Sequence, residues 1–290
     1  MKLVTFIRRG ASAPEVGLLR EDGVRPVSDW GLPYASMNEL IDRISAGERR
    51  KLSEEPGGEP LPLEGLRLLS PIPEPKQDVI CLGLNYSDHA REASGFSDAF
   101  ALDKGVPVFF SKRVNYAPGD GEGISALADV TEQLDYEVEL AVVIGRDAKN
   151  LTPETVQDYI FGYTVLNDMT AREVQTRHKQ WYFGKSLDGL CPMGPCIVTA
   201  DELPYPPALR IRSSVNGEPR QDACTDMLLH DITEILCTLT HGMTLKAGTI
   251  IATGTPKGVA MGMENPQFLK AGDLVCCEIE GIGMLRTPIL

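Results

Sequence analysis

The chain has 290 residues, of which 42% are hydrophobic, so it can bury a full core and is not disordered. Its 28 Lys and Arg residues stand against 41 Asp and Glu residues, a net charge of −13, and it contains no long basic run. This balance argues against a nucleic-acid partner. An acidic protein that binds an anion needs local positive charge, from a metal or from a few cationic side chains.

Apolar runs and cysteines indicate the cellular compartment and redox environment that we expect for the protein. No segment reaches the roughly 18 apolar residues of a membrane span, and residues 1–9 are too short an apolar run for a signal peptide, so we expect a cytoplasmic protein without membrane association. Seven cysteines are an odd number, and Cys276 and Cys277 would point to opposite faces of a strand, which disfavours a disulfide framework. Cys191 and Cys196 lack a second pair to complete a tetrahedral metal site, so we expect reduced, mostly buried thiols.

Residues 1–70 predict a small α+β domain. Short strands at 2–7, 15–19 and 24–27 are each bounded by Gly, Pro or Asp. Ser36 and Glu39 form a capping box that opens a helix through residue 44, and Gly47 is placed to end it. Residues 48–75 are charged and rich in Pro and Gly, which is typical of a linker. We therefore place the boundary near residue 70, with residues 71–290 forming the main domain.

Strands dominate the main domain. They are predicted at residues 79–82, 107–111, 163–166, 194–198, 209–215, 218–221, 249–252, 274–279 and 284–287. A Thr-Pro start predicts a helix over 152–161, and an apolar stripe at helical spacing predicts another over 225–242. Because strands and helices do not alternate, we predict an α+β, β-rich fold in which a mixed sheet forms a roll or sandwich.

Two carboxylates lie two residues apart in the segment DYEVEL, before the apolar residues 141–144. In a strand, Glu137 and Glu139 project from the same face, roughly 6 to 7 Å apart. The pair can belong to the wet face of an edge strand, but the apolar continuation favours a strand that enters the core. Asp168 follows another predicted strand and would be a third oxygen ligand. Such a set suits Mg²⁺ or Mn²⁺, and the lack of His or Cys disfavours zinc.

Other polar residues leave two interpretations open. His89 and Glu92, three residues apart on a short helix, form either an oriented base or a surface ion pair. Lys185 follows three aromatic residues and is either buried beside an anion or extended into water. The turn TGTPKG, residues 253–258, lets backbone approach a ligand but lacks the spacing of a phosphate-binding loop. Residues 93–106 have little pattern and are interpreted as a lid.

Five motifs in order resemble the fumarylacetoacetate hydrolase family, most closely its shorter bacterial and acylpyruvase-like members. Over about residues 75–290 they are GLNYSDHAREA, DYEVELAVVIG, LNDMTAREVQ, FGKSLDG and TGTPKGV. The resemblance implies a β-rich roll, a homodimer, and Mg²⁺ or Mn²⁺ held by Glu137, Glu139 and Asp168. It implies that the catalytic residues are His89, Glu92 and Lys185. It also implies substrate binding by Arg172, Gln175, Thr253, Gly254 and Thr255.

The sequence departs from the eponymous enzymes of the family. Those are longer and use an additional acidic ligand upstream of the acidic strand, and residues 1–70 do not match their N-terminal domain. These differences argue against fumarylacetoacetate itself as the substrate.

The resemblance implies hydrolysis of a carbon–carbon bond in a small anionic β-diketo acid of the acylpyruvate type, such as fumarylpyruvate. A metal-stabilised pyruvate enolate would depart after His89, held by Glu92, activates water. The same metal and enolate serve decarboxylation of an oxaloacetate-like acid, keto–enol isomerisation, or hydration of an unsaturated 2-oxo acid. A catalytically silent roll that binds a small acid or partner is the alternative from another class.

Overall fold

The computed structural model describes residues 1–96 and 106–290. Its strands in chain order are β1 Lys2–Arg8, β2 Glu15–Arg20, β3 Gly23–Pro26, β4 Leu66–Leu68, β5 Val79–Gly83, β6 Val108–Lys112, β7 Leu134–Asp135, β8 Val138–Ile144, β9 Ile160–Asn167, β10 Thr170–Ala171, β11 Met193–Thr199, β12 Arg210–Val215, β13 Glu218–Cys224, β14 Ile250–Ala252, β15 Leu274–Ile279 and β16 Gly283–Pro288. Its α-helices are α1 Met37–Arg43, α2 Ala46–Glu54, α3 Ser87–Phe96, α4 Arg172–Arg177, α5 Tyr182–Lys185 and α6 Ile232–Gly242.

Three sheets organise these strands. The largest has the order β3-β2-β1-β11-β9-β8-β14-β5-β6, with β4 also paired to β1. Its neighbours are antiparallel except β14 and β5, which run parallel. A second, four-stranded sheet has the order β13-β12-β15-β16, and β7 pairs with β10 in a short ladder. The prediction of a strand-rich α+β fold is confirmed.

Strand β8 lies at the centre of the large sheet, and both of its faces are buried. Its even-numbered residues, from Val138 to Ile144, join a core that includes Ile211 and Val275 of the four-stranded sheet. Ala141 and Val143 join the opposite core. Because side chains alternate along a strand, Glu139 belongs to the same face as these two apolar residues. An ionisable side chain therefore points into a face that is otherwise hydrophobic.

The N-terminal strands extend the large sheet. Strand β1 pairs with β11, with Lys2 opposite Val198. The hydroxyl of Thr5 donates to the carbonyl of Pro71 over 2.7 Å, so the two regions are also joined by a buried side-chain hydrogen bond. The boundary near residue 70 stays a prediction.

The linker prediction is wrong for its first residues, which form α2. Ser45 and Glu48 make a capping box, in which the Ser45 side chain accepts from the Glu48 backbone and the Glu48 side chain accepts from the Ser45 backbone. Gly47 accordingly lies in the first turn of this helix, and α1 has already ended at Arg43. The capping motif was present in the sequence, but the charged and Gly-rich surroundings obscured it.

Two helix predictions need correction. Only a 3-10 helix, Val156–Tyr159, forms within 152–161, because Ile160 begins β9 and pairs with Ile144. Sheet pairing thus overrides the local helix signal. The second helix starts later than Thr225, with Asp231 as its N-cap. With 11 residues, α6 is too short to cross a bilayer, and no other helix in the described parts is long and apolar enough to do so.

The cysteines match the expectation of reduced thiols. All seven are free, and four of them, Cys81, Cys191, Cys196 and Cys277, are buried. Cys277 is buried and its neighbour Cys276 is partly exposed, as expected for adjacent residues on opposite faces of β15.

Candidate metal centre and active site

Three buried carboxylates meet where β8 begins and β9 ends. Glu137 directly precedes β8, Glu139 lies within it, and Asp168 directly follows β9. The antiparallel register sets Val138 opposite Asn167, and the backbone N–H of Asp168 donates to the carbonyl of Glu137 over 2.9 Å. One carboxylate oxygen from each of the three residues lies within 4.8 Å of the others. The three side chains predicted from the sequence therefore converge on one point.

Cationic side chains surround two of these carboxylates. Lys185 Nζ lies 2.6 Å from Glu137 Oε2 and 2.7 Å from Asp168 Oδ2. Lys112 Nζ donates to Asp168 Oδ1 over 2.6 Å, and Arg172 forms an ion pair with Glu137 over 2.6 Å. All three cations are buried, with exposed fractions of 2%, 0% and 1% for Lys185, Lys112 and Arg172. Lys112 was not predicted, because a single lysine at the end of an apolar strand carries no distinguishing sequence signal.

The charges shift the pKa values of the acidic pair in opposite directions. Burial opposes ionisation of Glu137, but the charges of Lys185 and Arg172 outweigh it and lower its pKa to about 2. Burial raises the pKa of Glu139 well above its ordinary value, and the nearby carboxylates of Asp168 and Glu137 raise it further. For Lys185, burial lowers the pKa, but the carboxylates of Asp168 and Glu137 overcome this and raise it.

Among residues 1–96 and 106–290, Glu139 is the one carboxylate of the three that forms no ion pair with a lysine or arginine. Within the described parts of the chain, its carboxylate accepts a hydrogen bond from the backbone N–H of Gly254 over 2.8 Å. A buried carboxylate in this position is costly unless a cation accompanies it. Three carboxylate oxygens form a hard donor set suited to Mg²⁺ or Mn²⁺. The residues Glu137, Glu139 and Asp168 therefore fit a divalent ion.

A histidine and a glutamate lie close to each other on α3. His89 Nδ1 is 3.1 Å from Glu92 Oε2, and His89 is only 4% exposed, so this pair is not a surface ion pair. The preceding Asn85 donates to the backbone carbonyls of Thr253 and His230, which fixes the start of α3 against the TGTP turn. The predicted lid, residues 93–106, includes 97–105, which lie outside the described residues.

One pocket collects most of the predicted site residues. Its lining consists of Leu82, Gly83, Leu84, His89, Phe110, Glu137, Glu139, Arg172, Gln175, Trp181, Lys185, Thr255 and Met261. Charged and polar groups thus share a pocket with an apolar wall that includes Phe110 and Trp181, whose rings pack edge to face with centroids 5.3 Å apart. The cavity volume is about 20 Å³, well below the few hundred Å³ typical of small-molecule sites, so the pocket is narrow in this conformation.

Four predicted residues do not line this pocket. Asp168 is fully buried behind the lining, and Glu92 contacts His89 from outside it. The hydroxyl of Thr253 donates to the carbonyl of Leu140 over 2.9 Å, and the N–H of Gly254 donates to Glu139. Substrate binding by Thr253 and Gly254 stays a prediction, and in this structure both residues brace the strand that carries the acids.

Gln221 was missed by the sequence analysis although it connects two parts of the site. Its Oε1 accepts from the backbone N–H of Val138 over 3.1 Å. Its Nε2 donates to Thr255 Oγ1 and to the carbonyl of Pro256, each over 2.7 Å. A glutamine in a hairpin strand belongs to no motif, so only the three-dimensional structure reveals this role.

The fold and the site define a class of protein, in which a strand-rich scaffold places a buried acidic triad and cationic side chains at a pocket for a small acid. Residues 78–290 match the family model described as the C-terminal domain of fumarylacetoacetate (FAA) hydrolase. The chain belongs to the fumarylacetoacetate hydrolase family, as the resemblance in the sequence indicated. The family model covers the main domain and leaves the N-terminal strands outside it.

Relatives carry several different activities in their names. The chain is 43% identical over 262 residues to oxaloacetate tautomerase YisK of Bacillus subtilis, which covers 86% of each protein. A solved fumarylacetoacetate hydrolase from Exiguobacterium antarcticum is 36% identical, with a TM-score of 0.83, over 100% of this chain and 99% of that one. Maleylpyruvate hydrolase from Sphingobium sp. SYK-6, solved with manganese(II) and pyruvate, is 27% identical with a TM-score of 0.78, over the same shares. The fold therefore supports both hydrolytic and isomerising chemistry.

Proposed function

We propose that this protein catalyses keto–enol tautomerisation of an oxaloacetate-type 2-oxo acid, assisted by Mg²⁺ or Mn²⁺ on Glu137, Glu139 and Asp168. The observation that carries the proposal is the shared pocket, in which His89 lies together with the acidic pair and Lys185. The name of the 43% identical relative supports oxaloacetate as the substrate type. The sequence led us to expect hydrolysis first and left keto–enol isomerisation open as an alternative. We now favour that alternative.

Tautomerisation needs one proton removed from the enol oxygen and one delivered to the neighbouring carbon. His89 is suited to move such a proton, and the 3.1 Å contact with Glu92 orients the imidazole. Lys185 and Arg172 provide positive charge for an anionic substrate in the same pocket. A divalent ion, when bound, supplies further positive charge that favours the enolate.

Hydrolysis of an acylpyruvate is the second candidate. The manganese and pyruvate in the related maleylpyruvate hydrolase favour it, because pyruvate is the product expected from such a cleavage. In that reaction His89, held by Glu92, would take a proton from water instead of from the substrate. Both candidate reactions use the same triad. They differ in whether His89 takes a proton from the substrate or from water. We further propose a cytoplasmic homodimer, on the family resemblance alone.

Product analysis separates these reactions. Purified protein with Mn²⁺ is supplied with enol-oxaloacetate, acetylpyruvate or fumarylpyruvate, with a blank that contains Mn²⁺ alone. We expect the ultraviolet band of the enol to decay faster than in the blank, with no release of pyruvate. Pyruvate from a diketo acid would instead establish a hydrolase, and pyruvate from oxaloacetate a decarboxylase. Absence of every activity, with or without metal, would favour a silent binding protein.

A further inference from the structure

Glu92 rests on a short backbone segment that lies far away in the sequence. Residues 258–262, which we call the seat segment, provide the N–H of Gly258, which donates to Glu92 Oε1 and Oε2 over 3.0 and 3.2 Å. At Gly262, a Cβ atom would lie 2.0 Å from Glu92 Cγ. The segment therefore donates a hydrogen bond to Glu92 at one end. At the other end Glu92 packs against Gly262, where any larger residue would clash with it.

The seat segment is anchored by Asp135, a fully buried residue that opens the DYEVEL segment and has no role in the proposed chemistry. Asp135 Oδ1 accepts from the N–H of Ala260 over 2.8 Å, and Oδ2 accepts from the N–H of Met261 over 3.1 Å. These two N–H groups belong to the first residues of the 3-10 helix Ala260–Gly262. A carboxylate from a distant strand thus caps the segment at its otherwise unpaired donors.

The next residue in the chain holds the other end of the segment. The hydroxyl of Tyr136 donates to the carbonyl of Gly258 over 2.9 Å, so the residue whose N–H binds Glu92 is itself held through its carbonyl. Asp135 also accepts from Arg172 Nε over 2.9 Å, which gives the carboxylate a buried counter-charge. Two adjacent residues that directly precede Glu137 therefore connect the start of β8 to the support of Glu92.

We propose that Asp135 and Tyr136 are positioning residues for the His89–Glu92 pair and act through the seat segment. This inference rests on the proposed function insofar as His89 moves the proton. It assigns a specific role to the two residues that precede the acidic pair. The same stretch of chain positions Glu137, a proposed metal ligand, and, through the seat segment, Glu92, which orients His89.

Three variants and a double-mutant cycle test the proposal. Asp135→Asn keeps the shape but removes the charge that binds two N–H groups and Arg172, and Tyr136→Phe removes only the hydroxyl. We expect kcat for the tautomerisation to fall about 10- to 100-fold in the first and about 3- to 10-fold in the second, with KM and Mn²⁺ affinity changed less than about twofold. In a His89→Gln background neither substitution should lower the remaining kcat by more than about twofold. The effects of substituting residues that act as a unit do not add up.

Asp120→Asn is the matched control. Asp120 also accepts from a backbone N–H and an arginine, both of Arg286, over 2.7 and 3.0 Å, but it does not line the pocket. We expect its kcat to equal that of the wild type. Tyr136→Phe leaves Arg172 untouched, so it also carries the test if Asp135→Asn fails to fold.

Amide hydrogen exchange separates this inference from the proposed function. We expect exchange at residues 258–262 to rise at least about tenfold in Asp135→Asn and to stay at the wild-type rate in Asp120→Asn. This arm holds even if the wild type turns over none of the acids, an outcome that would reject the proposed function alone. Unchanged exchange at 258–262 would overturn the inference. The inference would also be overturned if either substitution lowered kcat as much in the His89→Gln background as it does in the wild type. The residue would then act through Arg172 and Glu137 and not through His89.

Discussion

The acidic triad and the His89–Glu92 pair both contribute residues to one pocket but are built in different ways. Glu137, Glu139 and Asp168 lie on two paired strands at the centre of the largest sheet. The histidine pair lies on α3, and its glutamate depends on the backbone of the seat segment. One half of the site is fixed by a sheet and by buried ion pairs, and the other by a helix and one short loop.

This difference suggests how one scaffold supports several reactions. Under the proposed function the triad on the sheet gives the charge arrangement for enolate chemistry, and it cannot move without disturbing the core. Under the proposed function the α3 pair determines which proton moves, and a few loop contacts set its position. Relatives named as hydrolases and as a tautomerase fit this division, because they share the fold while their reactions differ.

The largest effect is expected from Glu139→Gln, which changes the triad alone. Mn²⁺ affinity, measured by calorimetry, should fall by more than about 100-fold, beyond the loss typical of residues that only support a ligand. The metal-free variant should be at least as stable as the wild type at pH 7, because an amide avoids burying a third carboxylate. The exposed Glu132→Gln is the control, with affinity unchanged. Wild-type affinity in Glu139→Gln would remove this residue from the metal site.

A second substitution, Lys112→Met, tests how much a buried lysine contributes to the stability of the metal-free protein. It leaves Asp168 Oδ1 without its buried partner, so the metal-free protein should lose about 3–5 kcal/mol of stability. Saturating Mn²⁺ should raise the Tm of the variant more than that of the wild type, because the ion replaces part of the missing charge.

Thermal unfolding with chelator and with Mn²⁺ measures both effects. Lys246→Met is the control, since Lys246 pairs with Asp147 at the surface, where such a loss costs no more than about 1 kcal/mol. An unchanged Tm for Lys112→Met in chelator would show that the Lys112–Asp168 ion pair contributes little.

The smallest effect is expected from Gln221→Leu, which affects the junction between β8 and the TGTP turn. The change leaves the N–H of Val138 and the carbonyl of Pro256 without partners, and this should cost about 1–3 kcal/mol in urea unfolding. Turnover should fall by less than about tenfold, since every proposed catalytic group remains. Ser213→Ala removes only a hydroxyl that donates to Gln221 and should cost about 1 kcal/mol. Equal stability of the two variants would contradict the bridging role of Gln221.

The triad was readable from the sequence, and its supporting residues were not. Two acids in alternation before an apolar strand, and a third at the end of another strand, have a local pattern that survives in three dimensions. Lys112 and Asp135 act through partners that lie far away in the sequence: Asp168 is 56 residues from Lys112, and Ala260 is 125 residues from Asp135. Such pairings depend on sheet order, which no single segment encodes.

Secondary structure was predictable where local and long-range preferences agree. Strands β12 and β15 follow their alternation, and the hairpin at residues 216–217 has the positive φ angles that Asn-Gly predicts. The predicted helix over 152–161 failed because Ile160 pairs with β8. For His89 and Glu92, the spacing allowed two interpretations; the burial of His89 argues against a surface ion pair, and the role of an oriented base stays a proposal.

The most direct test measures two properties of one variant, His89→Gln. If the triad binds the metal and His89 moves the proton, the variant should bind Mn²⁺ within about twofold of the wild type while its enol–keto rate falls at least about 100-fold. Calorimetry and the decay of the enol band give the two values on the same preparation. An unchanged rate would contradict the account, because the triad alone would then suffice for the chemistry.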